Sequence, residues 1–236
     1  MRSVASNPIP SPGRAARDAV TFILGVDLDG VCGDYTGAFR EVVAEELGVD
    51  PTTLGDDRGW DFAEWGIHGP DEFDRLHRAA VLEHRMFRHM PALAGASDSL
   101  WRLSDAGIWI RIITHRLCVN WGHAVAVADT VAWLDDTGIP YRDICFLGAK
   151  PEVEADCYVD DAAHNVAELR AAGNHVIVYD APYNRDVDGP RATTWLEVEA
   201  LVMDRVAEVG EVLQPQLPGL DAGADRLNRR VSPPPG

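Results

Sequence analysis

Five short runs, 20–26, 109–113, 144–147, 157–159 and 175–179, are apolar on both faces, and helical patterns separate them. A strand with one face in water alternates apolar and polar residues. A strand that is apolar throughout needs cover on both sides, as in a parallel sheet buried between helix layers. The helical candidates are 36–47, 71–89, 97–105, 123–136, 162–172 and 195–209. Gly107, Gly138 and Gly173 follow three of them as stops. The expected fold is therefore α/β with a mostly parallel sheet.

One stretch breaks the alternation. Residues 50–89 hold no strand pattern but carry Trp60, Phe62, Trp65, Phe73, Met86 and Phe87. They read as a mainly helical cap inserted after the first strand, spanning 36–91, over a core of 18–35 and 92–213. Such an insert would cover the carboxyl ends of the strands, where open α/β sheets bind ligands. Residues 1–17 and 214–236, rich in Pro and polar residues, read as disordered tails.

The polar residues fall at those same strand ends. Asp27 and Asp29 follow the first run, in Asp27-Leu28-Asp29-Gly30-Val31. Thr114 ends the second, Lys150 follows the third, and Asp160-Asp161 ends the fourth. In a parallel sheet these ends share one edge, so four carboxylates, a hydroxyl and an ammonium gather there. Each has a plainer reading alone. Asp27 and Asp29 would make a turn and a cap, Thr114 a strand end, Lys150 a solvated lysine, and Asp161 a cap for a helix starting at Ala162. The plain readings leave the series unexplained, and Lys150 is the only lysine in the chain.

Four clustered carboxylates repel unless a cation sits among them. All-oxygen donors suit a hard cation, and Mg²⁺ binds through one or two carboxylates plus phosphate oxygens. Thr114 and Lys150 can hold the remaining phosphate oxygens. One aspartate can attack phosphorus while its neighbour moves the proton. The formal charge of −17 on 236 residues disfavours nucleic acid polymers and anionic membranes as partners. It also requires a local cation for any anionic substrate.

The ordered set Asp-x-Asp-Gly, Thr, Lys, Asp-Asp resembles the haloacid dehalogenase superfamily of phosphohydrolases, over about residues 20–180. The resemblance implies a Rossmann-like three-layer core and a Mg²⁺ site. It makes Asp27 the nucleophile and a metal ligand. Asp29 becomes the acid/base and lends its carbonyl to the metal. Thr114 and Lys150 bind phosphate, and Asp160 and Asp161 complete the metal shell.

A narrower likeness lies in Asp27-Leu28-Asp29-Gly30-Val31-Cys32-Gly33-Asp34-Tyr35, which is similar to the opening of the 5'(3')-deoxyribonucleotidases. The cap aromatics, Met90-Pro91-Ala92-Leu93-Ala94-Gly95-Ala96 and Ala181-Pro182-Tyr183-Asn184-Arg185 extend it. It implies a nucleoside monophosphate as the small-molecule phosphate ester, with Tyr35 and Trp60 near the base. One position departs: His115 stands where that family has a small hydroxyl residue. His115, Arg116 and His164 read equally well as structural or surface residues, and the cap aromatics as small-domain core.

Other functions compete. A phosphatase for a sugar phosphate needs the same core. A non-catalytic phosphate-binding module would not need every core residue intact. A dehalogenase needs neither Asp29 nor the metal pair. A receiver-type signalling domain places its acidic pair first, whereas here Asp160-Asp161 comes last.

Four cysteines, at 32, 118, 145 and 157, lack C-x-x-C spacing and a histidine cluster, so a reduced chain is expected. The N-terminal stretch has no secretory apolar region and no run is long enough to span a membrane, which predicts a cytoplasmic protein.

Overall fold

The computed structural model describes residues 22–117, 120–213 and 215. The expected tails, 1–17 and 214–236, lie outside the described residues apart from Pro215, as does Cys118.

Strands β1 (Ile23–Val26), β2 (Trp109–Thr114), β3 (Asp143–Phe146), β4 (Cys157–Asp160), β5 (Val176–Tyr179) and β6 (Arg191–Ala192) form one sheet. Its order is β3-β2-β1-β4-β5-β6, with every neighbouring pair parallel. The α/β reading holds. The two-residue β6 has no apolar run to announce it; it exists by pairing Val178 with Arg191 and Tyr179 with Ala192.

Helices α1 (Tyr35–Leu47), α2 (Pro70–Leu82) and α3 (Met86–His89) lie between β1 and β2 in the chain. Next come α4 (Ala96–Asp105) before β2, α5 (His123–Thr137) after it, α6 (Ala163–Ala171) after β4 and α7 (Trp195–Glu208) at the end. Strand alternation sorts the core. Leu24, Val26, Ile110, Ile112, Cys157, Val159 and Ile177 pack with residues of α4, α5 and α7. Ile113, Tyr158, Val176 and Val178 pack with Val166 and Leu169 of α6. Gly25 belongs to this second face. A Cβ there would stand 2.8 Å from Ile113 Cδ1 and 2.9 Å from Tyr158 Cδ1, so only glycine lets those side chains close over β1.

The single helix expected over 71–89 is two. Arg85 adopts φ 52°, a left-handed conformation that costs a non-glycine residue about 1–2 kcal/mol. No Gly or Pro marks the break. The cause is tertiary: Arg85 Nε donates to the buried Asp129 on α5 at 2.6 Å, and Nη2 grips the other oxygen. A separate apolar cluster joins Phe39, Val43, Phe62, Trp65, Leu76 and Phe87 of this segment, with Ala126 of α5 at its base. Among the described residues no helix is long and apolar enough to cross a membrane.

Candidate active site

β1 stands where the strand order reverses. The chain runs β1, β2, β3 to one side and returns to place β4 on the other. Open α/β sheets bind ligands in the crevice at such a switch point. Asp27 and Asp160-Asp161 flank it. The Asp27 amide still donates to Val159 O at 3.1 Å, holding Asp27 beside the end of β4. The chain then folds back on itself. Leu28 O accepts from the amides of Val31, Cys32 and Gly33 at 3.3, 2.9 and 2.8 Å. Gly30 has φ 81°, and a Cβ on it would collide with the Asp161 carboxylate. The Asp-x-Asp-Gly sequence thus needs its glycine both for the turn and for the approach of Asp161. Asp34 ends the loop by capping α1, accepting from Gly37 N at 2.8 Å.

Asp27, Asp160 and Asp161 are buried, and ligand oxygens of the three lie within 4.8 Å of one another. Lys150, 2% exposed, sits between two of them, with Nζ 2.7 Å from Asp27 Oδ1 and 2.6 Å from Asp160 Oδ2. Asp160 also accepts from Ala162 N at 3.0 Å and from Asn165 Nδ2 at 3.2 Å. Asp161 takes the Tyr183 hydroxyl on its carboxylate and Asn184 Nδ2 on its carbonyl, the latter at 2.7 Å.

Burial lifts the Asp27 carboxyl to about 7; Lys150 opposes the rise, and Asp160 and Asp29 add to it. Burial and the neighbouring Asp27 and Asp160 also push Asp161 well above the carboxylate range. Burial pulls Lys150 down, but Asp160 and Asp27 overcome it and raise its ammonium above the usual range. One ammonium among three buried carboxylates leaves the cluster short of positive charge. An oxygen-only donor set with that deficit fits a hard divalent cation.

Thr114, fully buried at the end of β2, accepts weakly from Arg116 N at 3.4 Å. Asp29 is gripped by Arg116, whose Nε and Nη2 donate to its two oxygens at 3.0 and 2.6 Å. Tyr35 opens α1, its ring 5.5 Å from Phe39 and 6.1 Å from His77. Trp60 is 53% exposed and stands apart from that cluster, edge-on to His164 at 5.1 Å and Tyr183 at 5.3 Å. The helix-cap reading of Asp161 has no counterpart: α6 has Ala162 at its cap, without a side-chain bond.

A cavity of about 240 Å³ opens over Asp27, Asp29 and Asp161. Its far walls include Tyr35, Trp60, Phe73, His77 and Phe87. His115 also lines it, with Nε2 buried and unpartnered among the described residues. Burial and the nearby Lys150 hold that imidazole below the usual histidine range.

Four contributors escape the sequence reading. Arg58 lies buried with its guanidinium 3.7 Å from the Phe62 ring centre and 4.5 Å from that of Tyr183, and Nη2 donates to Thr36 at 2.7 Å. His77 reaches the cavity from α2. Asn165 and Asn184 orient the acidic pair. Two of the four left a signal: Asn184 stands in the 181–185 stretch of the resemblance, and Asn165 lies where the first turn of a helix after Asp160 returns to that carboxylate.

The model of the family described as "5' nucleotidase, deoxy (Pyrimidine), cytosolic type C protein" matches residues 21–208. A "Putative 5'(3')-deoxyribonucleotidase" of Chlorobaculum tepidum is 43% identical over 182 residues, 77% of this chain and 90% of its own. One of the same name from Bordetella bronchiseptica is 28% identical over 170 residues, 70% and 88% of the two chains. A haloacid dehalogenase family hydrolase of Deinococcus radiodurans, solved with bound phosphate and sodium, shares the fold at TM-score 0.55. It is 18% identical, with 84% of this chain and 100% of that one covered. A haloacid dehalogenase-like hydrolase of Streptococcus pneumoniae matches at TM-score 0.52 and 15% identity, over 77% and 98% of the chains. The chain therefore belongs to the deoxy-type, cytosolic type C 5' nucleotidase family, on a haloacid dehalogenase fold, and is by that membership a phosphoric monoester hydrolase.

Proposed function

We propose that the protein releases phosphate from (deoxy)nucleoside monophosphates through an aspartyl-phosphate intermediate and requires Mg²⁺. The observation that carries the reading is the convergence of Asp27, Asp160, Asp161 and Lys150 beneath an aromatic-walled cavity. Asp27, Asp160, Asp161 and the Asp29 carbonyl would hold the cation, which supplies positive charge against the phosphate oxygens when bound. The Asp27 carboxylate attacks phosphorus, and the bond from phosphorus to the nucleoside oxygen breaks. Asp29, entering the cycle in its acid form, gives that oxygen its proton and is left as the carboxylate. Water then attacks the acyl phosphate, Asp29 takes its proton, and phosphate leaves. Lys150 has three N–H donors, and its two carboxylates use two. The third would serve a phosphate oxygen, as would the hydroxyl of Thr114 at the end of β2.

We assign 36–91 to the cap and 18–35 with 92–213 to the core. The apolar clusters support that division, with Met90 packed into the core cluster and Ala126 of α5 into the cap cluster where the two meet. The free thiols of Cys32, Cys145 and Cys157 support a cytoplasmic setting.

The test is a panel of nucleoside monophosphates and sugar phosphates, scored by phosphate release. Chelator should abolish turnover and Mg²⁺ restore it. Full activity in chelator would end the metal assignment, and a sugar phosphate at the head of the panel would end the nucleotide assignment.

Trp60 gives the cleaner probe of the base. Tyr35 also packs inside the cap, but Trp60 is exposed and its removal spares the core. Stacking on an aromatic is worth about 1–3 kcal/mol per base. Trp60→Ala should therefore lower kcat/KM for nucleoside monophosphates roughly 5- to 150-fold. The loss on p-nitrophenyl phosphate, which carries no base, should be far smaller. Equal losses on both would make Trp60 a water shield rather than a base contact.

A further inference from the structure

We infer that Arg116 is a positioning residue for Asp29, setting its carboxylate through contacts on both core and cap. The inference rests on the acid/base reading of Asp29. Arg116 lies two residues past Thr114, beyond the end of β2, and its side chain is 1% exposed. Nε and Nη2 fork onto Asp29 at 3.0 and 2.6 Å. Nη1 turns the other way and donates to Thr130 Oγ1 of α5 at 3.0 Å. The guanidinium carbon lies 4.1 Å from the Phe87 ring centre of α3 and 5.6 Å from that of Trp133 on α5. One side chain thus meets the β1 loop, a core helix and the cap.

Stability alone does not explain the arrangement. A buried ion pair is often no better than an apolar pair of the same shape, because desolvation offsets the attraction. Phe87 and Trp133 already offer an apolar slot that a leucine or methionine would fill. What only a guanidinium supplies is a planar fork that fixes both oxygens of a carboxylate. Asp29 needs such fixing. It sits on a loop, is partly exposed to the cavity, and must meet a leaving oxygen within hydrogen-bond reach. A shift of about 1 Å in a group of this kind can cost 10²-fold in rate.

The α3–α5 seam around the arginine is tied elsewhere. Arg85 pairs with Asp129, Arg88 with Asp136, and Trp133 Nε1 donates to Met90 O at 2.6 Å. Phe87 on α3 is therefore held against Arg116 independently of the Asp29 pair. The seat of the cap on α5 is transmitted to Asp29 through Arg116.

The experiment is a double-mutant cycle with Arg116→Met and Asp29→Asn, read with a nucleoside monophosphate and Mg²⁺. Methionine keeps the apolar stack and removes the fork. Arg116→Met should lower kcat about 10²-fold with KM changed less than about 3-fold. In the Asp29→Asn background the same change should cost at most about 3-fold, since the group it positions is already disabled. Arg116→Lys should recover only part of the loss, because an ammonium cannot fork. Thr130→Val removes the second anchor and keeps the ion pair. It should lower kcat in the same direction by roughly 3- to 10-fold, and it carries the test if Arg116→Met does not fold. Equal losses in both backgrounds, a change confined to KM, or full rescue by lysine would overturn the inference while leaving the function intact. A wild-type protein that releases phosphate from no ester would overturn the functional reading and this one with it.

Discussion

Asp27→Asn is expected to bring turnover to background and, in chelator at neutral pH, to raise the melting temperature. The first effect follows from losing the attacking oxygen. Removing the nucleophile of a covalent hydrolase costs on the order of 10⁶-fold in kcat. The second effect has a sign that burial dictates. The folded protein holds the Asp27 carboxyl at about 7, far above an unfolded aspartate. Between about pH 4 and that value the folded protein binds a proton that the unfolded chain releases, so raising the pH through this window costs wild-type stability. Asparagine is neutral throughout and escapes that cost. The gain should be full above about pH 7, shrink as the pH falls, and vanish near pH 4. Each kcal/mol shifts melting by about 2–4 °C for a chain of this size, so the gain should reach several degrees. Phosphate release with Mg²⁺ and melting scans with chelator at several pH values check both halves. Melting curves that coincide at pH 8 would mean that burial does not hold the Asp27 carboxyl above the ordinary aspartate range.

The strand ends were legible because each polar residue interrupts an apolar run. A buried strand that ends in Asp27, Thr114 or Asp160 announces itself, and parallel pairing brings such ends to one edge without knowledge of strand order. The residues that link cap and core were not legible. Arg116 meets Asp29 across 87 positions, and Arg85 meets Asp129 across 44. Nothing local marks either pairing. Arg85 overrides helix propensity for that contact, which is why a single helix over 71–89 was expected. The cap aromatics show the limit from the other direction. Composition grouped Trp60 with Phe62 and Trp65, yet folding turns Trp60 outward to His164 and Tyr183 while its neighbours build the cap interior.

Lys150→Met is expected to damage stability and catalysis together, and Mg²⁺ should repair the first far better than the second. Lys150 is buried between Asp27 and Asp160, each within 2.7 Å of its Nζ. Methionine has nearly the same shape, so the change removes a charge and little volume. Taking one partner from a buried ion pair strands the others and costs about 3–5 kcal/mol. In chelator, melting should therefore fall by roughly 10 °C. The same loss makes the pocket more negative. Mg²⁺ should then bind the variant more tightly than wild type and close much of the melting gap, because a ligand stabilises by its affinity for the folded state. Turnover should stay low at saturating Mg²⁺, since the third N–H is no longer there for the phosphate oxygen. Loss of one such electrostatic donor costs about 10²–10³-fold in kcat. Melting with and without Mg²⁺, set beside kcat at saturating Mg²⁺, separates the two roles. A gap indifferent to Mg²⁺ would show that Lys150 does not share its carboxylates with a metal. Full turnover in the repaired variant would show that it neutralises the pocket and does nothing for the phosphate.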